Sequence, residues 1–65
     1  MKRYKNIEFS KNDSKICERL KRFLKENGIY YECSAVDGWG YHLEILCDSN
    51  DEKMANDFLD KIYAE

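Results

Sequence analysis

The chain has 65 residues, a formal net charge of −2, 43% hydrophobic residues and no proline. That length allows one small domain, in which hydrophobic burial and chain entropy come close to cancelling. No stretch is apolar enough to span a membrane, and the opening "MKRYKNIEFS" is basic without an apolar run behind it, so a cytoplasmic protein is expected. Cys17, Cys33 and Cys47 are odd in number and lack metal-binding or CxxC spacing. They read as small buried hydrophobes in a reducing compartment, with no cofactor and no metal.

In chain order, "YKNIEFS" alternates Ile7 and Phe9 against Tyr4, Asn6 and Glu8, the pattern of a short strand. "SKNDSKICERLKRFLKENG" follows as a helix with Ser10 as N-cap, Asp13 completing a capping box and Gly28 ending it. Its apolar stripe is Ile16, Cys17, Leu20, Phe23 and Leu24. "IYYECSAV" and "YHLEILCD" form two strands, and "SNDEKMANDFLDKIYAE" a second helix capped by Ser49 with Glu52. The stripe of this helix is Met54, Ala55, Phe58, Leu59 and Ile62.

The order β-α-β-β-α predicts a single α+β domain over residues 1–65. A right-handed crossover makes strands 1 and 2 parallel, with strand 3 between them and both helices on one face. The sheet order is then 1-3-2, which looks like a ferredoxin-like fold lacking its last strand. Pairing by sidedness sets Ala35 opposite Leu43, Cys33 opposite Ile45, Tyr31 opposite Cys47 and Ser34 opposite Glu44. Gly38-Trp39-Gly40 becomes a three-residue loop with Gly40 left-handed and Trp39 at the tip, a candidate anchor for a partner.

The uncovered sheet face should display Tyr4, Asn6, Glu8, Tyr30, Glu32, Ser34, Val36, His42, Glu44 and Leu46. Three glutamates there, and the absence of an aromatic-basic RNA-binding pattern, argue against single-stranded nucleic acid. Tyr4, Tyr30, Val36, His42 and Leu46 instead make a mixed patch suited to protein binding.

Charge is divided along the chain. Residues 1–26 carry nine basic and four acidic side chains; residues 27–65 carry two and nine. Lys15, Arg19 and Arg22 on the first helix are the candidates for phosphate contact, and Asp51, Asp57 and Asp60 on the second for an acidic protein-binding surface. In size and charge the chain is similar to small phage-encoded inhibitors, including some anti-CRISPR proteins.

The segment "LKENGIYYECSAVDGWGYHLEI" resembles HicA-type toxins over about a third of the chain. That resemblance implies a small ribonuclease with a double-stranded-RNA-binding-like fold and a catalytic histidine at His42. The chain departs from the pattern in its acidic second half, its additional first strand and its missing fourth.

Composition and patterning therefore favour a non-catalytic protein-binding or regulatory module, self-associating as a homodimer through the first-strand edge or the open sheet face. Its most concrete form is an acidic-surface inhibitor from a bacterium, phage or mobile element. The alternative is a HicA-like ribonuclease or nucleic-acid binder using His42 and the basic helix.

Overall fold

Alternation along the central strand decides which side of the sheet is buried. The computed structural model describes every residue except Asp37 and Trp39. Its elements are β1 (Arg3–Ser10), α1 (Ser14–Glu26), β2 (Tyr30–Val36), β3 (Gly40–Cys47) and α2 (Ser49–Tyr63). β3 lies between β1 and β2 and runs antiparallel to both, giving the expected 1-3-2 order. Leu43, Ile45 and Cys47 of β3 are fully buried, while His42, Glu44 and Leu46 point the other way and stay half-exposed.

Both helices cover the Leu43 side, touching each other and β3. Cys17, Leu20 and Leu24 of α1 and Ala55 of α2 meet Phe9, Ile29, Leu43, Ile45 and Cys47 in one core. Each large buried side chain contributes about 1.5–3 kcal/mol. Phe23 and Phe58 stack at 4.3 Å between ring centroids and seal the seam between the helices. No helix is long and apolar enough to cross a membrane.

The helix ends follow local chemistry with two changes. α1 closes as predicted: Gly28 has φ +69°, its N–H donates to the Lys25 carbonyl, and the Ile29 N–H donates to that of Leu24 at 2.9 Å. This is a complete Schellman motif with buried Ile29 as its hydrophobic contact. At the other end, Lys11–Asp13 forms a 3-10 turn and neither Ser10 nor Asp13 makes a side-chain cap. The capping box of α2 belongs to Asp48 and Asp51, one residue ahead of Ser49 and Glu52. Glu52 is engaged elsewhere: it accepts from Lys5 Nζ at 2.7 Å and from Arg3 Nη2 at 3.2 Å, tying α2 to β1.

The hairpin register differs from the expected one by two residues. Cys33 lies opposite Leu43, Tyr31 opposite Ile45, and Ser34 opposite His42. The connecting residues are 37–39, because Val36 already pairs with Gly40. Gly38 takes the left-handed conformation at φ +76°, whereas Gly40 sits at φ +141° inside the strand. The reason lies in β1. Gly40 pairs with Ser10, and a Cβ there would collide with the Phe9 carbonyl oxygen, 2.6 Å from Ser10 C and 2.7 Å from Lys11 N. Only a residue without a side chain lets β1 leave the sheet at this point. A slip of two keeps every side chain on its predicted face.

The cysteines separate in a way their pattern did not show. Cys17 and Cys47 are buried, but Cys33 is exposed, as is Ala35. β2 is the outer strand on the α1 side; α1 packs on it but leaves the Cys33 and Ala35 side chains exposed.

Two outcomes follow from these contacts. Gly40→Ala combines an unfavourable φ with a backbone collision and is expected to cost about 2 kcal/mol or more in urea unfolding; a loss within the ordinary range of a surface substitution would contradict the close approach. The Glu52, Glu65 and Asp48 carboxyls are held below their usual range by hydrogen bonds from Lys5, Arg19 and the Asp51 backbone N–H respectively. With folded values depressed, their stabilisation is present above the unfolded carboxylate range and is lost as pH falls through the folded values. The urea midpoint should therefore drop between about pH 6 and about pH 3, and an unchanged midpoint would show that these contacts contribute nothing.

Candidate functional site

Because β3 faces two partners, its register aligns side chains in rows across the open face. Tyr4, Leu46 and Tyr30 form the first row, and Asn6, Glu44 and Glu32 the second. Glu8, His42 and Ser34 form the third, and Ser10, Gly40 and Val36 the fourth. Tyr4 is 59% exposed and Tyr30 52%, flanking the half-exposed Leu46, and Val36 is exposed at the far corner.

The face is acidic. Glu8, Glu32 and Glu44 stand on it, and among the described strand residues of this face His42 alone can carry positive charge. Glu32 and Glu44 are directly opposite each other on neighbouring strands, an arrangement that opposes folding. Tyr30 relieves part of it by donating from Oη to Glu32 Oε1 at 2.6 Å, which pushes its phenol pKa up.

His42 leans towards β1. Its Nε2 lies 3.3 Å from Asn6 Oδ1, and Nδ1 is 3.9 Å from Glu8 Oε1. The row order of carboxylate, imidazole and hydroxyl is that of a hydrolytic triad, but the contacts of both ring nitrogens are with β1, and among the described residues none is with Ser34. Among the described residues the partner of His42 is Asn6. Beside it an open cavity of about 520 Å³ is lined by Glu8, Phe9, Ser10, Val36, Tyr41 and His42.

The candidate acidic and basic residues fall elsewhere. Asp57 and Asp60 are exposed on α2, in the helix layer and away from this face. Asp51 is half-buried and works in the helix cap, its carboxylate accepting from the Asp48 N–H at 3.4 Å. Arg19 is held by a bidentate pair with Glu65 at 3.0 and 3.2 Å, which interrupts the basic surface between the exposed Lys15 and Arg22. Trp39 lies outside the described residues. The sheet-face set of Tyr4, Tyr30, Val36, His42 and Leu46 is thus brought together, and the acidic helix set is separate from it.

Sequence patterning overlooked the Cys17–Cys33 neighbourhood, which only the packing of α1 on β2 creates. Burial, reinforced by the adjacent Cys33 thiol, pushes the Cys17 pKa up to about 11. Burial likewise raises that of Cys47. No protein-family model, curated protein or solved structure matches the chain.

Thiol reactivity checks this arrangement. Under native conditions near neutral pH, one cysteine per chain should react rapidly with a maleimide, and Cys33→Ser should abolish that labelling. Rapid modification of all three thiols would mean that the helix layer does not shield Cys17 and Cys47.

Proposed function

We propose that this chain is a non-catalytic protein-binding module whose contact surface is the open sheet face. The observation that carries the reading is the pairing of exposed tyrosines around Leu46 with two facing carboxylates one row away, relieved only by the Tyr30 hydroxyl. A small domain with little stability to spare keeps Glu32 opposite Glu44, although any neutral pair would fold better. Tyrosines supply large contact area at low entropic cost, and the carboxylates select a partner that is locally basic.

Within that class the arrangement suits a regulator or inhibitor that presents carboxylates to a basic site on another protein, as a phosphate backbone would. It supports a nucleic-acid-binding role less well, since Arg19 is occupied by Glu65 and the sheet face repels phosphate.

Affinity capture with purified bait tests the proposal against its catalytic alternative. A stoichiometric basic partner should be retained by the parent chain and by His42→Ala, and lost with Tyr4→Ala or Glu44→Lys. Truncating Tyr4 at the centre of such a contact should weaken binding at least about tenfold. Retention by both face variants, or a ribonuclease activity abolished by His42→Ala, would overturn the reading.

A further inference from the structure

We infer that two copies of this chain pair antiparallel through the β2 edge, centred on Cys33, to form one continuous six-stranded sheet. This rests on the self-association expected of so small a core and assigns it to a surface other than the open face.

The sheet has two edges, and they are not equivalent. β1 is guarded: Lys5 points to the helix side of its strand, half-buried, with its Nζ on Glu52, and Arg3 joins the same carboxylate. An inward-pointing charge on an edge strand blocks further strand addition, because pairing would bury or displace it. β2 has no such device. Its helix-side residues are Tyr31, Cys33 and Ala35, none charged, and its pairing with β3 runs unbroken from Tyr30 to Val36. Cys33, Ala35, Val36 and Tyr30 are all exposed, so apolar surface lies open on both sides of this one strand.

The strand "YYECSAV" is also complementary to itself. About a two-fold axis through Cys33, Tyr30 meets Val36 of the second copy, Tyr31 meets Ala35, and Glu32 meets Ser34. Each pair keeps helix-side residues with helix-side residues, since partners are separated by an even number of positions. Tyrosine against valine is a favourable aromatic and β-branched pair, and no like charges stand opposite one another.

Face-to-face stacking of two sheets would instead set Glu8, Glu32 and Glu44 against themselves.

Sedimentation velocity from about 1 µM to 1 mM tests the assignment. The apparent mass should rise from one chain towards two with concentration. Ala35→Lys, which places on β2 the device that Lys5 provides on β1, should raise the dimer dissociation constant at least about tenfold. Asn6→Lys, on β1 and on the open face, should leave it unchanged, as should Tyr4→Ala. Circular dichroism of each variant identifies any loss of fold. Independently, a short bis-maleimide should join two parent chains through Cys33, and Cys33→Ser should form no such product.

A parent chain that stays monomeric throughout overturns the inference, as does a dimer lost with Asn6→Lys and kept with Ala35→Lys. Absence of the Cys33 cross-link does the same. Ala35→Lys should still capture the basic partner of the open face, so failure of the dimer and failure of the proposed function are read separately.

Discussion

The rest of the molecule depends on the one-sided burial of β3. Leu43, Ile45 and Cys47 lose all contact with solvent because α1 and α2 lie together on their side. Residues of the opposite phase are thereby committed to the other face, whatever their chemistry. Among the described residues no further element covers them. The open face therefore follows from the way the core is closed.

What stands on that face bears on the division of charge along the chain. Part of the basic first half is spent internally, Arg3 and Lys5 on Glu52 and Arg19 on Glu65. These exposed or part-buried pairs contribute modestly to stability, but they consume basic groups that a phosphate-binding surface would need. The sheet carboxylates find no comparable partner among the described residues. Glu8, Glu32 and Glu44 share their surface with one imidazole and two exposed tyrosines, a combination that costs stability and gains meaning only against a complementary partner.

The two edges of the sheet show the same economy. Lys5 serves at once as a brace to α2 and as a guard on β1, since a charge placed inward at an edge needs a carboxylate above it. β2 carries no inward charge of this kind, and although α1 packs on it, Cys33 and Ala35 stay in solvent. An unguarded edge joined to an unguarded edge would extend the acidic face across two copies, so the two surfaces are geometrically linked while remaining separate in chemistry.

Periodicity, with the right-handed crossover rule, determined the type and order of the strands and α-helices, the 1-3-2 sheet, the shared side of the helices and the face on which Tyr4, Tyr30, His42 and Leu46 emerge. These are questions of phase, and side-chain alternation with a period of two, or of 3.6, answers them locally. Gly28 was legible for the same reason, because a helix end needs a left-handed residue wherever the rest of the chain goes. Tertiary structure decided what phase leaves open. A slip of two residues preserves sidedness, so the hairpin could not choose its own register; the passage of β1 against Gly40 chose it, and with it the alignment of Ser34 with His42 and of Glu32 with Glu44. Capping by Asp48 rather than Ser49, the capture of Arg19 by Glu65 and the exposure of Cys33 were decided in the same way, by contacts between groups distant in the chain, whose geometry exists only after the layers have packed.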